Sequence, residues 1–257
     1  MVRALYTAYT GMYNEQNRLD IISNNIANSA TTGYKQESVT SQAFEQMLAV
    51  KIRDGSDAYI NRRIGKMSLG VKLGEVYTDY DQGSLRQTSN TYDMAISGEG
   101  FFQVRIPSSN GSSVVKYTRD GNFNMNKDGY IVDVNGNHLQ GTNGDLQVDP
   151  DAAEVSITRD GYVQVDGTVV DRIALADFED YDYLKKFGEN MYETVDGATA
   201  KAATGLIEQG YLEQSNVNVV SEMVDMITIT RAYEANQRII RSVDSMLDKA
   251  SNQIGRV

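Results

Sequence analysis

A lone histidine, a run of carboxylates and two closely spaced glycines are the side chains in this sequence that could do chemistry, and each has a spacing that its chemistry would need. His138 is the only histidine. A histidine base works with a nucleophile on one side and an orienting acid on the other. Nothing beside the neighbouring Asn135-Gly136 turn marks either partner, so His138 reads as an exposed structural residue. Glu179-Asp180 and the pair Asp177 and Asp182 have the residue types of a glycoside-hydrolysing dyad. They lie, however, in a stretch from Asp145 to Asp196 with fourteen acidic against four basic residues, which reads as a solvated face. Asn124, Asn126, Asp128 and Gly129 fit the early positions of a calcium loop, yet Asn135 stands where the closing bidentate glutamate belongs, and the flanking helices are missing. Gly98-Glu99-Gly100 lacks the third glycine and following helix of a dinucleotide fingerprint, and Phe101 and Phe102 continue as a strand. No catalytic, cofactor-binding or metal-ligating residue is assigned, and no cofactor is expected.

Composition narrows the classes further. The chain has 257 residues, 40% of them hydrophobic, enough for one large or two ordinary domains with a real core. A net charge of -11 repels a phosphate backbone, so nucleic acid is not an expected partner. The absence of cysteine removes a disulfide framework, a thiolate nucleophile and zinc-cysteine sites. No apolar run reaches the length of a membrane span, so no membrane insertion is expected. Residues 1–13 are too polar for a signal-peptide core, so any export is expected to proceed without a cleaved signal.

The elements that would carry function are the two ends. Val219, Met226, Tyr233, Ile240, Leu247 and Ile254 recur every seven residues, with Ile229, Val243 and Ala250 three residues after members of that series. This is a coiled-coil seam within one long helix spanning Ser215 to Ile254. Asn218 stands as its N-cap, Glu222 and Asp225 lie early, and Arg238, Arg241 and Lys249 lie late, as the helix dipole favours. Val220, Val224, Ile227 and Ile239 fall off the seam, so the apolar coverage is wider than one partner helix hides. Leu5, Met12, Leu19 and Ile26 repeat the same spacing at the other end, with Ala8 and Ile22 between them, giving a second seam helix from Arg3 to about Asn28, stopped at Gly33. The expected assembly interface is Leu5, Met12, Leu19, Ile22, Ile26, Val219, Met226, Tyr233, Ile240, Val243 and Leu247.

Between these ends the texture differs. Residues 36 to 75 show no sustained period, and a short helix from Ser38 to Ile52, through Phe44, Met47 and Leu48, is the one element expected there. From Val76 to Leu212 short alternating runs cut by turn residues predict strands. Lys127-Asp128-Gly129-Tyr130 and Asn135-Gly136 predict hairpins with type I′ turns, which need positive φ at both central residues. Thr118-Arg119-Asp120-Gly121 recurs forty residues later as Thr158-Arg159-Asp160-Gly161, which predicts one turn-and-strand device used twice. Pro107 and Pro150 are expected in loops.

Four stretches carry a resemblance: Asn24-Asn25-Ile26-Ala27-Asn28 with Thr32-Gly33-Tyr34-Lys35; Asp93-Met94-Ala95-Ile96-Ser97-Gly98-Glu99-Gly100-Phe101-Phe102-Gln103-Val104; Tyr117-Thr118-Arg119-Asp120-Gly121; and Ser215-Asn216-Val217-Asn218, leading into Glu222-Met223-Val224-Asp225-Met226-Ile227 and Arg231-Ala232-Tyr233-Glu234-Ala235-Asn236. In this order they resemble the flagellar rod and hook proteins, most closely the distal-rod members, with the proximal-rod members as the nearest alternative. The resemblance implies a non-enzymatic axial subunit of the bacterial flagellar basal body, a helical homo-oligomer that meets other rod and hook proteins and is handled by the flagellar export apparatus. It also implies that the segment after the first helix stiffens the rod through neighbouring subunits. The expected fold class is α+β: N- and C-terminal helices forming a coiled coil, with a central all-β domain. The expected divisions are 1–33, the N-terminal helix; 34–75, an extended connecting segment; 76–212, the β domain; and 213–257, the C-terminal helix. From other classes, a cell-wall carbohydrate-active enzyme with a coiled-coil tail and an adhesin-like binding module are the alternatives.

Overall fold

A computed structural model describes residues 2–50, 63–107, 113–152 and 154–254. The class is α+β, with a helix at each end and a β-rich middle. The chain divides into two units, one holding Met1–Ile26, Glu37–Thr78 and Val219–Val257, the other Ala27–Gln36 and Asp79–Asn218.

In the first unit the N-terminal helix α1 runs Val2–Ala27 and the C-terminal helix α2 runs Val219–Lys249, widening into a π turn at Ala250–Ile254. The expected start at Ser215 is four residues early, because Ser215 to Asn218 stay outside the helix. Glu222 in the first turn of α2 and Lys249 in the last complement the helix dipole. Two contacts fix how the helices run. A Cβ on Gly11 would lie 3.0 Å from Asn236 Nδ2, and Asn25 Nδ2 donates to Glu222 Oε2 at 3.5 Å. The step forward on α1 equals the step backward on α2, so the helices are antiparallel.

Residues 38–43 and 47–50 are strand, which overturns the helix expected from Ser38; Ile52 lies outside the described residues. Glu37–Ala43 pairs antiparallel with Val71–Thr78, and Met47–Val50 pairs with Arg63–Met67. The physical reason is at the first residue of the strand. Asn25, 1% exposed, gives its Nδ2 to Glu37 O at 2.8 Å and takes Glu37 N on its Oδ1 at 3.0 Å, so both backbone groups are captured in extended geometry. Val39 and Thr40 then favour strand over helix through their branched Cβ. Further along, Asn14 Nδ2 donates to Ser41 Oγ at 2.9 Å and Thr7 Oγ1 to Leu69 O at 3.3 Å, so the ribbon is held to α1 by polar pins.

The second unit is built on an antiparallel sheet in the order Leu184–Phe187, Met191–Thr194, Ser113–Thr118, Phe101–Pro107, His138–Gly141, Ile131–Val132 and Asn124–Met125. Phe101 and Phe102 are both buried because successive side chains of a strand point to opposite faces. Phe102 packs with Met94, Ile96, Phe123, Leu139 and Ile207, while Phe101 packs with Phe178, Tyr192 and the rings of Tyr80 and Tyr181. Pro107 closes its strand opposite Ser113, where a loop was expected.

The hairpin turns sit where the sequence put them but are not type I′. Only the glycines take positive φ, 83° at Gly129 and 82° at Gly136. The loops are five residues long, and each is closed by its first side chain. Asn126 Oδ1 accepts from Asp128 N and Tyr130 N, both at 2.9 Å, and Asp133 Oδ1 accepts from Asn135 N and Asn137 N, both at 2.8 Å. Thr158 does the same for Tyr162 N at 3.1 Å, with Gly161 at φ 85°. The repeated device therefore joins residues 126–130, 133–137 and 158–162. The expected echo at Thr118 is a different object: Gly121 has no positive φ, and a Cβ there would meet the Met94 carbonyl oxygen. A side chain is excluded at Gly121 by close backbone approach, not by the left-handed region.

Candidate functional site: helix faces and a buried clasp

The eleven residues expected to form an assembly interface lie on α1 and α2, and the structure grades them. Leu5, Met12, Leu19, Ile22 and Ile26 are half-buried on α1, as are Met226, Tyr233 and Ile240 on α2; Val243 is buried, while Val219 and Leu247 are exposed. A strict seven-residue repeat drifts around a straight helix by about 20° per heptad. One antiparallel partner therefore covers only part of the series. Among the described residues, Ala8 and Ile229 are the other buried apolar residues of the two helices.

The off-seam residues are exposed as well. Val220 is 72% exposed, Val224 57% and Ile227 53%, and Met223 and Ile239 are also exposed. On α1 Tyr6, Tyr9 and Tyr13 stand out at 61%, 54% and 55%. Each such side chain gains about 1.5–3 kcal/mol only when water is removed from it. Exposed apolar side chains at helical spacing are what an interaction surface would use.

The second unit holds a feature that sequence reasoning missed. Residues 27–36 form a strap whose Thr32-Gly33-Tyr34-Lys35 stretch is built into the β-rich unit. Lys35, 1% exposed, donates from Nζ to Glu213 Oε1 at 2.6 Å and to Asp81 O at 2.8 Å. Glu213, fully buried, also accepts from Gly83 N at 3.0 Å and from Arg119 Nη1 at 3.3 Å. Arg119 Nη2 reaches Gly98 O at 2.9 Å, and its guanidinium lies over Phe101 at 5.2 Å. Thr32 Oγ1 donates to Asp120 Oδ1 at 2.7 Å, and Gly33 N donates to Glu213 O at 2.9 Å. Gly33 has φ 67°, and a Cβ there would sit 2.4 Å from Asp120 N, so the strap fits only as glycine at this point. Asn216 ties the edge of the clasp by accepting from Gln36 N at 2.8 Å and donating to Asp79 O at 3.0 Å.

Two carboxylate and ammonium groups here are displaced from their ordinary behaviour. Burial lowers the Lys35 ammonium, with Glu213 opposing that shift. Burial raises the Asp120 carboxyl, against the hydrogen bonds from Thr32 and Asn122. Both shifts fit an anchor made of buried charge, and all four resemblance-bearing stretches contribute to this unit. No spacing rule links Lys35 to Glu213, which are 178 residues apart. The available signal was that residues 32–35 and 118–121 both lie in the resemblance-bearing stretches and combine glycine with charge.

The remaining chemistry candidates have structural roles. His138 is half-buried, not exposed, and has a partner: its Nδ1 lies 3.0 Å from Asp145 Oδ2, an acid that also pairs with Arg105. Burial, and then Arg105, lower its proton affinity. Asp177 is fully buried and accepts from Tyr181 Oη at 2.8 Å, with Lys201 Nζ 3.6 Å from its other oxygen. Asp180 accepts from Asp182 N at 2.9 Å, and Glu179 accepts from Thr199 Oγ1 at 3.0 Å. Asn126 of the calcium-like pattern is spent on its own turn.

A helix pair that leaves apolar side chains in water, carried in one chain with a β-rich unit, is what an assembling structural subunit would present. Comparison with known proteins gives its kind. Residues 5–35 match the family described as flagella basal body rod protein, residues 95–165 the flagellar hook protein FlgE/F/G D1 domain, and residues 208–253 the flagellar basal body rod FlgEFG protein C-terminal. The chain is 35% identical over 271 residues to the flagellar basal-body rod protein FlgG of Bacillus subtilis, covering 98% of this chain and 99% of that one. It is 34% identical over 268 residues to the FlgG of Buchnera aphidicola from Schizaphis graminum, with 98% and 99% covered. It is 33% identical over 259 residues to the FlgF of Caulobacter vibrioides, with both chains fully covered. The chain belongs to the flagellar basal-body rod protein family.

Proposed function

We propose that this chain is a structural axial subunit of the bacterial flagellar basal-body rod, in its distal part. Many copies stack helically into a hollow tube that transmits torque to the hook. The seam residues on α1 and α2 form the coiled-coil wall of the tube. The segment 34–75 stiffens the rod against neighbouring copies, and other rod and hook proteins flank the stack. The subunit reaches its place in the basal body through the flagellar export apparatus without a cleaved signal, takes no cofactor, binds no nucleic acid and does not enter the membrane. Among the described residues no helix is long and apolar enough to cross one.

The observation that carries this reading is the combination of full-length relatives with two terminal helices that leave apolar side chains exposed. Repeated heterologous contacts that do not close generate an open filament. An enzymatic reading finds no support in the carboxylates, since Asp177, Glu179 and Asp180 are occupied within the fold. The proximal rod is the second reading, favoured by the FlgF relative of nearly equal identity. Complementation separates them. The distal reading expects the chain to restore swimming to a strain lacking its FlgG and not to one lacking its FlgF; the reverse result assigns it to the proximal rod, and failure in both with the protein expressed and exported refutes the rod reading.

A further inference from the structure

The exposed sides of α1 and α2 are complementary in a way that one chain cannot use by itself. Tyr6, Tyr9 and Tyr13 are spaced as one face of α1, and Met223, Val224 and Ile227 form an exposed face on the first turns of α2. The contacts Gly11 to Asn236 and Asn25 to Glu222 set the internal register, which brings the turn bearing Tyr9 beside Arg238. Val224 is fourteen residues away from Arg238 along α2, about 21 Å at 1.5 Å per residue. The tyrosine face therefore cannot reach the Met223, Val224 and Ile227 face of its own chain.

Charge agrees with this division. Residues 2–14 of α1 contain Arg3 and no acid, whereas residues 219–230 of α2 contain Glu222 and Asp225 and no base. Arg3 and Asp225 are both exposed. Like faces brought together would oppose like charges, while the unlike faces attract.

We propose that the Tyr6, Tyr9 and Tyr13 face of one copy docks on the Met223, Val224 and Ile227 face of a second copy, with Arg3 of the first copy drawn to Asp225 of the second. The contact is heterologous, so each copy keeps one face of each kind open and the series extends without closing. It rests on the rod-subunit reading and specifies which surfaces of neighbouring copies meet.

The chain has no native cysteine, so introduced thiols report contacts cleanly. Tyr9→Cys and Val224→Cys chains are produced separately and together in cells whose own copy is deleted, and basal bodies are oxidised and run without reductant. The expected result is a dimer-sized band that needs both variants. A band from either variant alone, a thiol linked to a different protein, or intact basal bodies with no mixed band would each overturn the proposal. Absence of the unsubstituted chain from basal bodies would instead refute the rod reading. A second arm uses charge. Arg3→Glu and Asp225→Lys should each weaken association, roughly two- to fivefold per contact, and Arg3→Glu with Asp225→Lys in one chain should restore it, because each copy then presents the reversed pair. A double variant no better than the singles overturns the charge pairing.

Discussion

Replacing Lys35 by methionine tests the clasp most directly, because it removes one ammonium from a buried network and leaves the size of the side chain nearly unchanged. Glu213 then loses its 2.6 Å partner but keeps Arg119 Nη1 at 3.3 Å and Gly83 N at 3.0 Å, and Asp81 O loses a donor. Removing one member of a buried ion pair costs about 3–5 kcal/mol, and the surviving partners place this case near the lower end, at about 3 kcal/mol. For a unit of this size each kcal/mol moves the melting temperature by roughly 2–4 °C, so a fall of roughly 6–12 °C is expected. Thermal unfolding of the full chain followed by circular dichroism measures it. Lys35→Met with Glu213→Gln should cost at least about 1 kcal/mol less than the two single changes added together, since the orphaned carboxylate is gone. The pH dependence carries its own sign. The folded Lys35 has a lowered pKa, so between that value and the ordinary lysine value the unfolded chain binds the proton that the folded chain has shed. In this component stability rises with pH across that window. The rise should be missing from Lys35→Met. A melting temperature within 2 °C of the parent, or strict additivity with Glu213→Gln, would refute the clasp as an energetic unit.

The other expectations concern turns, truncation and the helix faces. Gly121→Ala should destabilise most, by about 4 kcal/mol or more, because its Cβ meets the Met94 carbonyl backbone; Gly161→Ala, at φ 85° with Ile207 Cδ1 3.3 Å away, should cost about 1–3 kcal/mol, and Gly136→Ala, with open space around it, about 1 kcal/mol. Urea melts rank them, and equal losses at all three positions would contradict the separate causes. A chain lacking residues 1–26 should keep the melting temperature of the β-rich unit, whereas one lacking 1–36 should lose several degrees with the contacts of Thr32, Gly33 and Lys35; identical melts of the two truncations would remove the strap from the fold. Ile240→Asp places a charge in the half-buried part of the α2 series and should abolish swimming while the β-rich unit melts as before. Ile240→Val should swim, at a cost of about 0.5–1.5 kcal/mol, and so should Arg241→Ala at an exposed position; normal swimming with Asp at 240 would sink the assembly role of that series.

The sequence alone determined whatever is written in local periodicity. Seven-residue spacing gave both terminal helices, because a helix repeats its face over short chain distances, and the off-seam Val220, Val224, Ile227 and Ile239 were legible as surplus for the same reason. Alternation and Asp-Gly or Asn-Gly pairs gave the strands and turns of the middle, although the longer loops closed by Asn126, Asp133 and Thr158 replaced the expected tight turns. Only the tertiary structure decided that Glu37–Ala43 is strand, since Asn25 captures Glu37 across a helix end and no local propensity contains that contact. It alone decided that Gly121 and Gly161 are glycines for different reasons. And it alone joined Lys35, Arg119 and Glu213, whose pairing is set by how far burial excludes water from charges contributed by distant parts of the chain, a quantity that exists only after the chain has folded.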